Sequence, residues 1–126
     1  MICGIGTDIA KVSRFEKWVK QPSMIERFFN EKERCKAGIK SDAAKCEHYA
    51  ARFAAKEAFS KAMGTGISGF GLQEVYIIND ENGKPELKVE GAALSLMKEK
   101  FGECKVFVSL SHEKEYAVAF VILEKK

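Results

Sequence analysis

The sequence predicts an α+β fold: a single domain over residues 1–126, with a long central helix packed on a mostly antiparallel sheet. Three observations predict it. Apolar residues recur at helical spacing through the first half, which ends in an Ala-rich run up to Met63. The second half breaks into short β-rich runs, two of which flank Asn82-Gly83, a pair that tolerates positive φ and favours a hairpin. With 126 residues, 46% hydrophobic and 31% charged, the chain can bury one core. Helices gathered in one half and strands in the other give the α+β arrangement.

Residues 2–9 carry Ile2, Ile5 and Ile9 and read as a strand ending near Asp8. Val12, Phe15, Trp18 and Val19 recur at helical spacing across 11–20. Pro22 breaks that helix and can open another, because proline suits a first helical turn. Asn30 and Glu33 have capping-box spacing, which predicts a helix to about Ala37, with Gly38 as its stop. Asp42 is the expected cap of the long helix to Met63, and Gly64 its left-handed end. Residues 72–78 read as a strand, 79–85 as a hairpin turn, and Leu87 with Val89 as the return strand. A helix over 92–101 places Leu94, Met97 and Phe101 on its apolar face. Strands are expected at 104–110 and 116–123, joined by a turn at 111–115.

A net charge of +3 is too mild to predict a nucleic-acid partner, and no strand interleaves basic and aromatic residues as a stacking platform. No apolar run approaches bilayer length, and Met1 to Gly4 lack the charged leader of a signal peptide. The expected location is the cytoplasm, with no membrane partner. Cys3, Cys35, Cys46 and Cys104 form no C-x-x-C pair and read as reduced thiols rather than zinc ligands.

Residues 52–66 say most about chemistry. This helical segment is apolar on every side apart from Arg52, Lys56, Glu57 and Lys61. A helix apolar all round is buried, and burying charges without partners is costly. At about 100° per residue, Glu57 and Lys61 share one face. An i,i+4 ion pair between them is the plain structural reading. Arg52 and Lys56 share another face and repel each other, so they call for negative charge from elsewhere. The loop after Gly64 is rich in glycine, and its backbone can approach a ligand closely.

Outside this helix, Gly4-Ile5-Gly6-Thr7-Asp8 sets an acidic residue at a strand end. Asp8 alone reads as a turn or capping residue; with Glu57 it could hold Mg²⁺, which keeps waters and takes phosphate oxygens. Gly64-Thr65-Gly66-Ile67-Ser68-Gly69 spells a dinucleotide fingerprint but follows a helix and precedes a strand, the reverse of the required order. His112 ends a strand in Ser109-Leu110-Ser111-His112. Adjacent strand residues face opposite ways, so Ser111 and His112 cannot pair as a hydrolase would need. Lys11, Arg14 and Lys17 recur at helical spacing and suit an acidic protein surface, although solvated lysines and arginines are the default reading. Lys45, His48, Arg52 and Lys56 form a basic stripe suited to phosphate.

Taken together, three motifs resemble the holo-acyl-carrier-protein synthase family of the 4′-phosphopantetheinyl transferase superfamily. They are Gly4-x-Gly6-x-Asp8-Ile9 with Arg14; Arg52-Phe53-Ala54-Ala55-Lys56-Glu57-Ala58 with Lys61 and Gly64-Thr65-Gly66; and Ser109-x-Ser111-His112 with Tyr116-Ala117. Arg27-Phe28-Phe29 with Glu33, and Gly83-Lys84-Pro85, extend the likeness over residues 4 to about 122. The resemblance implies transfer of phosphopantetheine from coenzyme A to a serine of apo acyl carrier protein, with release of 3′,5′-ADP, in fatty acid biosynthesis. It implies Asp8 and Glu57 as Mg²⁺ ligands, Glu57 as the group that orients or deprotonates the serine, and Lys61 as counter-charge to the pyrophosphate. It assigns Lys45, Arg52 and His112 to the nucleotide phosphates and the Gly64-Thr65-Gly66 backbone to the nucleotide. Arg14 meets the carrier protein, Lys56 supports the fold or has no assigned part, and the assembly is a homotrimer with sites between subunits. A coenzyme A-binding module without transfer would need only the basic groups, and a purely structural protein would leave Arg52 and Lys56 unexplained.

Overall fold

The computed structural model describes residues 1–36, 38 and 41–126. It shows the α+β fold expected. Strand β1 (Ile2–Lys11) leads through a 3₁₀ turn (Val12–Phe15) into two short helices, α1 (Glu16–Val19) and α2 (Pro22–Phe28). Helix α3 (Asp42–Met63) is followed by the hairpin β2 (Val75–Asn79) and β3 (Pro85–Val89), then α4 (Gly91–Phe101), β4 (Cys104–His112) and β5 (Tyr116–Lys125). The larger sheet has the order β1-β5-β4, antiparallel throughout, and β2-β3 form a second antiparallel pair.

Helix α3 lies across the inner face of the larger sheet, and small residues let it come close. Ala58 and Ala62 meet β1 at Gly6 and Gly4. A Cβ at Gly6 would stand 1.9 Å from the Ala58 carbonyl oxygen, and one at Gly4 2.1 Å from that of Ala62. The two glycines of the first motif therefore serve helix-on-strand contact, and this contact carries Asp8 alongside α3. On its other flank α3 meets an aromatic cluster. Trp18 stands edge-on to Phe53 at 5.4 Å and stacks on Phe28 at 5.0 Å, and Phe29 packs on Tyr49 at 4.7 Å. With sheet on one side and aromatics on the other, the helix is apolar almost all round.

Lys56 is fully buried and points at the segment before β2. Its ammonium donates to a Glu33 carboxylate oxygen, to the Leu72 carbonyl at 2.9 Å and to the Val75 carbonyl at 2.6 Å, so all three donors are used. The Glu33 carboxylate also accepts from the backbone N–H of Asn30 at 2.9 Å and of Ile77 at 3.1 Å. Burial pushes the Glu33 carboxyl up and the Lys56 ammonium down, each opposed by the charge of the other.

Several element boundaries differ from expectation. The capping box at Asn30 and Glu33 is present, but it opens only a 3₁₀ turn (Glu31–Glu33). The chain is extended at Arg34, whose side chain donates back to the Phe29 carbonyl, while Glu33 is held by Lys56 and Ile77. The expected helix end near Ala37 lies outside the described residues. The cap of α3 is Ser41 rather than Asp42: its hydroxyl accepts from the Ala44 N–H at 3.2 Å, and Asp42 stands in the first turn, where its charge favours the helix dipole. The strand expected from residue 72 begins at Val75, after a 3₁₀ turn (Leu72–Glu74). Gly64 ends α3 at φ 77°, as expected, and Gly83 turns the hairpin at φ 82° with Asp80 accepting from Asn82 and Lys84.

Candidate active site

Asp8 sits on the inner face of edge strand β1, paired with Ala119 of β5. One turn apart on α3, Glu57 and Lys61 turn toward it. Lys61 Nζ donates to Asp8 Oδ1 at 3.0 Å, so the cation pairs across elements with Asp8. Asp8 is 18% exposed and the Lys61 side chain 56%, so the pair borders solvent. Burial, reinforced by the Asp8 charge, pushes the Glu57 carboxyl above its ordinary value, while Arg14 and Lys61 pull the other way. Two carboxylates from different elements thus crowd one spot.

Arg14 adjoins this cluster. Its guanidinium lies 4.9 Å from the Phe53 ring centre and 5.6 Å from that of Trp18, an arrangement that steadies a cation on an aromatic floor. The Arg14 charge also acts on Glu57. The structure therefore brings together Asp8, Glu57, Lys61 and Arg14.

Arg52 belongs to a second cluster. It lies about 140° around α3 from Glu57, by helical geometry. With His48, Glu47, Asn79 and His112 it lines a cavity of ≈ 270 Å³. Arg52 Nε is buried and has no hydrogen-bond partner among the described residues. Burial pushes its guanidinium down, opposed by the charges of Glu33, Cys35 and Tyr49. A buried guanidinium donor left open marks a place for an anion. His112 ends β4 on the inner face; Ser111 lies on the opposite, exposed side, as the alternation predicts.

Lys45 does not join this cluster. It lines a separate cavity with Val19, Ile25, Arg34, Cys35 and Tyr49. Lys56 leaves the basic stripe altogether, because its charge is spent on Glu33. Gly64, Thr65 and Gly66 form an exposed loop directly after α3, and Lys100 donates to the Met63 carbonyl beneath it. Glu47 and Asn79 were not found by sequence reasoning. Asn79 arrives from the hairpin by tertiary packing alone; Glu47 directly precedes His48 on α3 and lies one helical turn from Ala51, which lines the same cavity. A larger cavity of ≈ 500 Å³, among Val12, Glu16, Lys20, Asp42, Cys46 and Lys114, contains none of the expected site residues.

Residues 4–121 match the family model of the 4′-phosphopantetheinyl transferase superfamily. The holo-[acyl-carrier-protein] synthase of Treponema denticola is 48% identical over 124 residues, covering 98% of this chain and 99% of that protein. A solved holo-(acyl-carrier-protein) synthase from Bacillus anthracis, in complex with CoA (3′,5′-ADP), has a TM-score of 0.81 at 42% identity and covers 100% of this chain and 99% of its own. The holo-[acyl-carrier-protein] synthase of Neisseria meningitidis has a TM-score of 0.83 at 39% identity, covering 99% of this chain and 100% of its own.

Proposed function

The chain belongs to the holo-acyl-carrier-protein synthase family of the 4′-phosphopantetheinyl transferase superfamily, and from that premise we propose that it moves the phosphopantetheine arm of coenzyme A onto a serine of apo acyl carrier protein. The observation that carries this reading is the convergence of Asp8, Glu57 and Lys61 from two elements on one spot. Binding coenzyme A would need only cations; a crowded carboxylate pair beside an exposed lysine suits transfer.

The donor set fits Mg²⁺. A carboxylate whose proton affinity is raised by burial and by the charge of a second one is relieved by a hard divalent cation, which takes oxygen ligands and completes its shell with water and phosphate oxygens. Asp8 and Glu57 would hold it, and the ion would supply charge neutralisation at the pyrophosphate. The serine oxygen attacks the β-phosphorus, the bond to the bridging oxygen breaks, and 3′,5′-ADP leaves with that oxygen. Glu57, directly or through a water, orients the serine hydroxyl and takes its proton. Lys61 exchanges Asp8 for the phosphate oxygens and neutralises the leaving group. Arg52 and His112 bind the nucleotide phosphates, and the Gly64-Thr65-Gly66 backbone borders the nucleotide. Lys45, facing another cavity, supplies at most long-range attraction for the same anion. Arg14 meets acidic groups of the carrier protein from its aromatic floor, close to Glu57.

The outer face of the larger sheet supports self-association, which we take to be a homotrimer. Ile5, Ile9, Phe107, Tyr116 and Phe120 are 62%, 63%, 49%, 40% and 46% exposed there. The strand register sets Ile5 against Ile122 and Phe107 against the same residue, so the apolar surface is continuous. A patch of this kind marks an association surface. Assembly would let the Asp8-Glu57-Lys61 cluster of one subunit share a coenzyme A with the Arg52-His112 cavity of a neighbour. We take residues 1–126 as one catalytic domain. Among the described residues no helix is long and apolar enough to cross a membrane. We assign the reaction to the cytoplasm and, through its carrier, to fatty acid biosynthesis.

The test is release of 3′,5′-ADP from coenzyme A. Release should require both apo carrier protein and a divalent ion, and should stop with chelator. Release independent of the carrier, or none at all, would reject transfer.

A further inference from the structure

One carboxylate stands inside the cavity assigned to phosphate. Glu47, on α3, lines it together with His48, Arg52, Asn79 and His112. Its Oε1 lies 3.4 Å from His112 Nδ1, with the two side chains 27% and 51% exposed. A carboxylate beside an anion site opposes the anion by simple Coulomb repulsion. Its position against one ring nitrogen gives it a different part. A carboxylate facing Nδ1 orients the ring, and in a ring that carries protons on both nitrogens Nε2 is also a donor. The other ring in the cavity is already engaged, since His48 Nε2 meets the Glu33 carbonyl at 2.7 Å. With Nδ1 facing Glu47 across 3.4 Å, Nε2 of His112 is the ring nitrogen left for a ligand.

We propose that Glu47 is a positioning residue: its carboxylate holds the His112 ring so that Nε2–H is presented to a coenzyme A phosphate. This rests on the reading that His112 binds a nucleotide phosphate. The two parts open to Glu47 differ in sign. As a mere negative charge it would weaken anion binding, and its removal would tighten binding. As the holder of His112 it strengthens binding, and its removal weakens it.

The experiment titrates coenzyme A by calorimetry into the parent protein, E47Q, E47A, H112A and the E47A/H112A double variant, each checked for fold by circular dichroism. E47A should bind about tenfold more weakly, the scale of one charge-assisted hydrogen bond. E47Q should lose less, because its amide oxygen can still face Nδ1. In the H112A background E47A should add no further loss, the mark of two residues acting as one. Steady-state kinetics should show a raised KM for coenzyme A and an unchanged KM for carrier protein. Unchanged or tighter binding by E47A, or losses that simply add, with H112A still weakened, would overturn the positioning role and leave the phosphate assignment standing. Unchanged affinity in H112A would overturn both.

Discussion

The fold alters the charge state of Glu57. Burial and Asp8 raise its pKa, so the folded chain holds that proton more tightly than the unfolded chain does. Stability therefore falls as pH rises from the ordinary value of 4.5 through the raised folded value. Glu57→Gln removes this decline. In chelator at neutral pH the variant should melt at a higher temperature than the parent, yet lose transfer almost completely. Paired thermal melts and activity assays check both halves, and a variant that melts lower while keeping activity would contradict the assignment. Arg14→Ala should raise KM for carrier protein roughly tenfold, the effect of losing one interfacial charge contact. A change confined to KM for coenzyme A would move Arg14 out of the carrier surface.

At the scale of elements, α3 is fixed by two contacts of different kinds. Its backbone touches β1 at Gly4 and Gly6, and Lys56 ties it to Glu33 and the segment entering β2. Lys56→Met leaves the Glu33 carboxylate buried and unpaired, so urea unfolding should show a loss of about 3–5 kcal/mol. Gly6→Ala forces a methyl into the Ala58 carbonyl and should cost about 1–3 kcal/mol or more by the same measurement. Wild-type stability in either variant would mean that α3 is seated some other way. Local features of this scale were legible in the sequence. Gly64, Gly83 and the capping box at Asn30 each depend on a few neighbouring residues. The Lys56–Glu33 pair was not legible, because its members lie far apart in the chain and Glu33 already had a local reading as a cap. Nor did the sequence reveal that Gly4 and Gly6 face helix backbone. The 3₁₀ turn at Glu31–Glu33 departs from the expected helix for the same reason: tertiary partners hold Glu33 and draw the chain out.

At the scale of the whole molecule, the exposed apolar sheet face and the two charge clusters make one account. Asp8, Glu57 and Lys61 gather beside β1, whereas Arg52 and His112 line a cavity reached through the far edge strand, β4. Spacing along α3 foretold that Glu57 and Lys61 share a face, but not that Lys61 would pair with Asp8 or that Lys45 would face elsewhere, since both depend on how the helix seats on the sheet. Phe120→Asp, which places a charge in the apolar face, should yield folded monomers by sedimentation and abolish transfer; an assembled, active variant would reject this face as the interface. Intact-mass measurement of the carrier shows whether the Asp8-Glu57-Lys61 cluster transfers phosphopantetheine. Apo carrier protein incubated with coenzyme A, Mg²⁺ and the parent enzyme should gain the mass of one phosphopantetheine, and with Glu57→Gln it should gain none. An unchanged carrier mass with the parent, or an equal gain with both proteins, would contradict the account.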